Sequence, residues 1–406
     1  MAMRISEIRL ENWKNFRLAA VKLQRRMFVI GPNAAGKSNL LDAIRFLREI
    51  SDPEGGFQRA VKSRGGVSQI RCLHARKQPK VALEVGLEID QDQWSYRLEF
   101  GQDNQRRAEL AREVVSKNGQ LILERPNQED AADPSRLSQT FLEQVSANKD
   151  FRAIAESLAQ IRYLHVIPQL IREPERVAHR RNDPYGSDFL EQIAKTPDKT
   201  LRSRLAKINR ALQVAVPQLE QLELKRDERG IPHLHGLYKH WRPKAGWQSE
   251  EHFSDGTLRL LGLLWAFLDG SAPLLLEEPE LSLHSAVVKH IPAMMAAVNR
   301  RSGRQVFITT HSYDLLSDPG IAPEETLRLI PGDNGTEASL ASADPQVQVM
   351  AMAGLSVAHS YPARGKTKLD PKIRAYNQAA ALAPWLVLRD LDADAPCRAI
   401  PQQKHP

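Results

Sequence analysis

Gly31-Pro32-Asn33-Ala34-Ala35-Gly36-Lys37-Ser38 decides how the rest of this chain is read. The spacing is that of a phosphate-binding loop. Its glycines let the backbone curl so that N–H groups point at phosphate oxygens. Lys37 has the reach and charge to neutralise β- and γ-phosphates, and the Ser38 hydroxyl suits Mg²⁺. A glycine-bearing turn can match this pattern by chance, so the flanks matter. Met27-Phe-Val-Ile30 before it predicts a short buried strand. Asn39 to Ile50 after it has apolar residues at helical spacing, so a helix starts at the loop. That helix's N-terminus adds a partial positive charge beneath an anion. Asn33, Ala34, Ala35, Gly36, Lys37, Ser38 and Asn39 are therefore the candidate nucleotide-binding residues.

Outward from the loop, the pattern alternates strands with helices. Met3 to Phe16 alternates apolar and polar residues as a half-exposed strand does, and Val21–Leu23 is its expected neighbour. Asp52–Gly66 reads as a loop. Val81–Ile89 with Trp94–Phe100 predicts a hairpin, and Arg112–Lys117 with Gln120–Glu124 a second one turning at Asn118-Gly119. Gln128–Ser138 reads as loop, Thr140–Gln160 as helix, and Ile161–Ile167 as a buried strand followed by Pro168-Gln169. Asp188–Ala215 is helical in pattern with a break at Pro197. Gln218–Arg226 and Pro232–His240 are strand candidates. No heptad repeat persists through 170–250, so no long coiled-coil arm is expected. Leu258–Leu268 reads as an apolar helix, Ala272–Glu277 as a buried strand, His284–Asn299 as a helix containing Pro292, and Gln305–Thr310 as another buried strand. Together these predict an α/β fold: a mostly parallel core sheet with helices on both faces and an antiparallel β patch laid on it.

Bulk properties narrow the setting. The 406 residues are 42% hydrophobic, enough for a sizeable core. No apolar run reaches the roughly 18 residues that mark a membrane-spanning helix, and the N-terminus has no apolar signal segment. Two cysteines, Cys72 and Cys397, make no disulfide framework. A cytoplasmic protein with no membrane partner is expected. The net charge of +8 favours nucleic acid, but it is spread rather than clustered.

Three further motifs carry chemistry. Leu274-Leu-Leu-Glu277-Glu278-Pro279-Glu280 ends a strand in consecutive acids and delivers carboxylates to the sheet edge where phosphates lie. Glu277 is the candidate Mg²⁺ ligand and Glu278 the general base for an attacking water. Thr309-Thr310-His311-Ser312 follows the next buried strand, and His311 there can sense or stabilise the γ-phosphate. Phe253-Ser254-Asp255-Gly256-Thr257 precedes the Leu258 helix. Ser254 and Gly256 can offer a hydroxyl and backbone N–H groups to a phosphate, although Ser254 or Asp255 beside a glycine is also an ordinary N-cap.

In this order and spacing, the motifs resemble the ATP-binding-cassette (ABC) ATPases, in the branch with RecF, SMC and OLD-type proteins, over most of residues 1–345. Stand-alone bacterial "AAA family" ATPases of that branch are the nearest likeness. The resemblance implies an ABC-ATPase domain at 1–345 with a helical insertion at about 170–250. It implies ATP and Mg²⁺ as cofactors, and head-to-tail pairing of two copies, as a homodimer or higher oligomer. Ser254, Asp255 and Gly256 would then contact the γ-phosphate in trans, and Leu281–His284 would cross the dimer interface. Gln169 becomes the candidate for the glutamine that senses Mg²⁺ and water, with Gln69 and Gln160 as competitors. Ser-Asp-Gly-Thr stands where such families have Ser-Gly-Gly-Gln, and Glu277 where many have aspartate, so slow hydrolysis is expected. Partners implied are DNA or an effector protein such as a nuclease, in genome maintenance or anti-phage defence.

Residues 346–383 read as a linker or junction. Pro384 to Asp394 is an apolar run ending in Asp390-Leu-Asp392-Ala-Asp394, which looks like half of a Toprim-type nuclease with Asp390 and Asp392 as a second metal site. No glutamate-bearing turn precedes it, so a vestigial tail at 384–406 is the competing reading. The functional alternatives are an ATP-driven clamp, an OLD-like ATP-gated nuclease, and a regulatory scaffold with little turnover.

Overall fold

The computed structural model describes residues 3–75, 78–172, 183, 185–240 and 246–360. Among these described residues, fifteen strands form three sheets. The strands are β1 Met3–Trp13, β2 Phe16–Lys22, β3 Arg26–Ile30, β4 Val81–Ile89, β5 Asp92–Gln102, β6 Ala108–Lys117, β7 Gln120–Arg125, β8 Arg162–Leu164, β9 Leu219–Arg226, β10 Pro232–Tyr238, β11 Trp247–Ser249, β12 Leu274–Glu277, β13 Val306–Thr310, β14 Thr326–Gly332 and β15 Gly335–Leu340.

The core sheet has the order β15-β14-β3-β13-β12-β8, parallel throughout except for the antiparallel edge strand β15. Its central strands β3, β12 and β13 are buried on both faces, as parallel sheets require. Period-two alternation sorts their side chains. Met27, Val29, Leu275 and Phe307 face a core shared with helix Lys37–Ser51 and the antiparallel sheet. Phe28, Ile30, Leu274, Leu276, Val306 and Ile308 face the opposite core, against helices Asp255–Leu268 and Ile291–Ser302.

The antiparallel sheet runs β2-β1-β4-β5-β6-β7. Helix Lys37–Ser51 lies between the two sheets and buries Leu40, Leu41, Ile44, Phe46, Leu47 and Ile50. The insertion, expected to be helical, has helices Phe189–Ala194 and Asp198–Ala215 but also a three-stranded sheet, β11-β10-β9. These pack with Asp255–Leu268 into a third core. Asp198–Ala215 is the longest helix among the described residues, at 18 residues, and no coiled-coil arm is present there.

Several local expectations need correction. Within Asp52–Gly66, the helix Phe57–Lys62 forms because Phe57, Ala60 and Val61 bury one face. Gln128–Ser138 contains the helix Gln128–Ala132, started by a capping box between Asn127 and Asp130. Helix replaces Thr140–Gln160 only over Arg152–Ala159. Ahead of it, a single turn at Thr140 is capped by side chains, but the Leu142 and Val145 carbonyls then accept from Asn148 Nδ2 at 3.1 Å and Arg152 Nη2 at 2.6 Å in place of the amides a continuous helix would supply. The N–H groups of Phe141 and Leu142 donate to Glu113 at 2.8 and 3.1 Å, and that of Thr140 to Glu143 at 2.7 Å. The Ile161–Ile167 strand shortens to β8, because Pro168 opens the next helix, Pro168–Arg172. Pro292 divides the last expected helix into Ser285–Val288 and Ile291–Ser302, where it occupies the first turn and needs no N–H partner.

Candidate nucleotide site

β3 delivers the phosphate loop at the carboxyl edge of the core sheet. Gly36 sits at φ 99°, the N-cap of helix Lys37–Ser51, a conformation that favours glycine. The Lys37 side chain is buried and folds across the loop, donating to the carbonyls of Gly31 at 3.0 Å and Pro32 at 3.3 Å.

Asn15, in the turn between β1 and β2, braces the loop from behind. Its Nδ2 donates to the Ala35 carbonyl at 2.8 Å and to Thr336 Oγ1 at 2.6 Å, and its Oδ1 accepts from Asn39 Nδ2 at 2.9 Å. The side chain of Asn39 is thus turned towards this brace. Trp13 Nε1 donates to the Asn39 carbonyl at 2.8 Å. One turn on, Asp42 is ringed by Arg64, Arg45 and Lys14. Burial pushes its carboxyl up, but these cations outweigh that and hold it below the usual range.

Parallel register brings the acids to the loop. Glu277 of β12 lies level with Thr309 of β13, which lies level with Val29 of β3. Ser38 Oγ donates to Glu277 Oε1, and the Tyr163 hydroxyl donates to Oε2. Burial and the adjacent carboxylate both raise the Tyr163 pKa, so it stays a donor. His165 Nδ1 lies 3.3 Å from the Glu277 carbonyl. Serine hydroxyl and carboxylate oxygens are hard ligands that fit Mg²⁺, with phosphate oxygens and water completing the set. Among the described residues no cluster of three or more His, Cys, Asp or Glu side chains makes a free-standing metal site.

Glu278 leaves the strand at φ 42°, held by its N–H, which donates to the Thr309 carbonyl at 3.0 Å and to Thr309 Oγ1 at 3.2 Å. Its Oε1 lies 3.2 Å from His311 Nδ1. The expected base and the expected sensor therefore touch each other, which leaves His311 Nε2 for a phosphate. Glu280 is buried, and its Oε1 accepts from Thr310 Oγ1 at 2.6 Å. Burial raises its pKa.

The Ser254 group sits elsewhere. Ser254 caps helix Asp255–Leu268 by accepting from the Thr257 N–H at 3.2 Å. Arg172 binds Asp255 at 2.5 Å and the Phe253 carbonyl at 2.7 Å. A Cβ on Gly256 would come within 2.7 Å of the Ser282 carbonyl, so this turn packs closely on the segment after Glu280. The contacts of Ser254, Asp255 and Gly256 are with these elements rather than with their own phosphate loop. Gln169 is exposed on the short helix Pro168–Arg172. Asp390, Asp392 and the 384–406 tail lie outside the described residues. Of the expected junction, residues 346–360 are described and include most of helix Pro345–Met352.

Sequence reading missed Asn15, Tyr163, His165 and Arg172. They lie on three separate stretches, Tyr163 and His165 sharing β8 and its exit, with no local motif to flag them.

Comparison with known proteins bears on the family and the fold. The profile of the family described as "AAA domain, putative AbiEii toxin, Type IV TA system" matches residues 26–318. No curated protein matches. Among solved structures, the chain is similar to an Smc head bound to the C-winged helix domain of ScpA, with 15% identity, 82% of this chain and 96% of that one covered, and a TM-score of 0.52. It is also similar to the SMC head domain from Thermotoga maritima, at 14% identity, 83% and 98% coverage and a TM-score of 0.43. A third is the Smc head with an extended coiled coil, bound to the C-terminal domain of ScpA, from Pyrococcus furiosus, at 13% identity, 86% and 99% coverage and a TM-score of 0.49. At such identities the likeness is one of fold. Among the described residues no helix is long and apolar enough to cross a membrane.

Proposed function

The chain belongs to this AAA-domain family and has the ABC-ATPase fold of SMC heads, and on that premise we propose that it is an ATP-hydrolysing clamp that closes head to tail on a second copy of itself. The observation that carries the reading is the convergence of Lys37, Ser38, Glu277, Glu278 and His311 at one sheet edge, from three separate stretches of sequence. Loop amides from Asn33 to Asn39 and the Lys37 ammonium bind the phosphates. Ser38 and Glu277 are the residues that would hold Mg²⁺, and Gln169 is the proposed third member of that set. Magnesium, when bound, neutralises phosphate charge. Glu278 takes the proton of the attacking water, and His311 holds that carboxylate in place.

Ser254, Asp255 and Gly256 complete the partner's site. Ser254 is exposed, and the hydrogen bonds of Ser254 and Asp255 run to Thr257 and Arg172 rather than to the phosphate loop, which supports an edge offered to another copy. The cycle of closing and opening is coupled to DNA or to an effector protein. The family description names a toxin of a toxin–antitoxin system, which supports a defence role. The ScpA-bound Smc head supports a protein partner. In domain terms, 1–345 is the ATPase and 346–383 a junction to the tail.

The test is mass in solution with and without MgATP, for the wild type and Glu278→Gln. Glu278→Gln is expected to lose turnover by at least ~100-fold, as general-base removal does, and to accumulate as a dimer in ATP. Unchanged turnover, or a monomer at saturating MgATP, refutes the proposal.

A further inference from the structure

A cavity lies at the opposite, amino edge of the core sheet, where β8, β12 and β13 begin, with charged groups set in a largely apolar lining. It is lined by Arg48, Arg162, Arg304, Trp265, Asp269 and Asp183, among others. The centre of a water molecule can reach about 40 Å³ of it, room for a small ion or a few waters.

The charges around it are unequally satisfied. Arg162 donates to Asp269 at 2.9 Å and to Gln192 at 2.7 Å. Arg204, from the helix Asp198–Ala215, takes the other oxygen of Asp269 at 2.8 Å. Asp183 accepts the Ser187 N–H at 3.1 Å. Arg304 donates Nε and Nη1 to the carbonyls of Ala272, Ala266 and Asp269, all neutral acceptors. Arg48 is only 6% exposed, yet no ion pair or hydrogen bond among the described residues engages its guanidinium, and its Nε is an unpartnered buried donor. Trp265 Nε1 is a second unpartnered buried donor on the same wall. Burial lowers the pKa of Arg304 to about 10 and also lowers that of Arg48, so both cations are held against a desolvation cost. Unpaired donors of this kind are rare in folded interiors and call for an acceptor.

We propose that this cavity is a binding site for a small oxyanion such as phosphate, held by Arg48, Trp265 Nε1 and the remaining donor of Arg304. Its centre is offset from the nucleotide site, since β12 begins at the cavity with Leu274 and ends at Glu277, but Tyr163 lines it too and joins the two through its hydroxyl, which donates to Glu277. An anion here would neutralise the excess of guanidinium over carboxylate and fix the C-terminal part of helix Lys37–Ser51, which carries Arg48, against β8 and β12.

The test uses the full chain carrying Lys37→Ala, so that phosphate at the loop does not contribute. Thermal unfolding is followed against inorganic phosphate, with chloride at matched ionic strength as the control. The expected result is a saturable rise in Tm with phosphate, abolished by Arg48→Gln. Without phosphate, Arg48→Gln should unfold at the same temperature or higher, since a buried unpaired charge is gone. A crystal grown with selenate should carry anomalous density between Arg48 and Trp265, a readout that needs no variant. No phosphate-specific rise, an equal rise in Arg48→Gln, or water alone at the site in the selenate crystal would each overturn the proposal.

Discussion

Asn15→Ala should loosen the phosphate loop without touching a nucleotide-contacting residue. The side chain makes three hydrogen bonds, to Ala35, Thr336 and Asn39, at 2.6–2.9 Å. Each is a neutral bond in a part-buried setting, worth about 1 kcal/mol net, so the ceiling is about 3 kcal/mol. Water can replace some of the bonding to the side chains of Thr336 and Asn39, but the Ala35 carbonyl is inside the loop. A loss of about 2 kcal/mol in loop order is therefore expected, or roughly 10- to 30-fold in MgATP affinity, if Asn15 rather than the nucleotide supplies that order. Titration calorimetry with MgATP reads the affinity, and urea unfolding of the same samples reads global stability. The Asn15 backbone carbonyl still accepts from Thr336 N–H at 2.8 Å in the variant, so the β15 contact persists and stability should fall less than affinity. Asn39→Ala, which removes one of the three bonds, should fall between wild type and Asn15→Ala. If Asn15→Ala binds MgATP within about twofold of wild type, the loop orders itself and the brace is incidental.

Four other outcomes follow from particular contacts. Tyr163→Phe keeps the ring under Arg45, whose guanidinium carbon sits 5.2 Å from its centroid, and removes only the donor to Glu277; steady-state ATPase should fall by about tenfold, the equivalent of ~1.4 kcal/mol, with the melting temperature little changed. Arg125→Met leaves Glu113 and Asp130, both fully buried partners of Arg125, without their cation, and should cost about 3–5 kcal/mol in chemical denaturation. Arg112→Ala, which breaks an exposed pair with Glu124, should cost under about 1 kcal/mol in the same assay. Because burial raises the Glu280 pKa, its folding contribution is intact below the unfolded value of 4.5 and is lost as pH rises through the folded value. Glu280→Gln should thus match wild type in Tm near pH 4 and exceed it increasingly towards neutral pH, and a constant gap across that range would contradict the assignment.

What the sequence disclosed depended on how local each signal was. The phosphate loop, the two acids at the end of β12 and His311 after β13 are each contiguous with a strongly apolar strand, so both the motif and its place on the sheet edge could be read together. The antiparallel hairpins were equally plain, because Asn118-Gly119 and the alternation on either side are short-range features. Where the reading failed, side-chain contacts outside the local pattern had taken over. Asn148 and Arg152 claim the carbonyls of Leu142 and Val145 and interrupt a helix that local propensity favours. The same holds at the site. Tyr163 matters because β8 pairs in parallel with β12, and Asn15 because the β1–β2 turn reaches the loop. Neither relation exists until the sheets are assembled.

The two acids of β12 have separate work because the chain changes course between them. Glu277 is still in the strand and continues the side of Leu275, which faces the core containing Tyr163 and helix Lys37–Ser51, so its carboxylate meets Ser38 and Tyr163. Glu278 is already in the left-handed region, its N–H fixed on Thr309, and its carboxylate meets His311 on the neighbouring strand's exit. A non-glycine residue at such a φ costs about 1–2 kcal/mol, and the surrounding contacts must hold it there. That expense gives a reason for Thr309: its carbonyl and hydroxyl both accept from the strained amide. One carboxylate is thereby tied to the hydroxyl of the phosphate loop and the other is turned away from it towards His311. On the proposed roles, metal holding and proton abstraction would be divided between adjacent residues by backbone geometry, and exchanging them would require β12 to end one residue earlier.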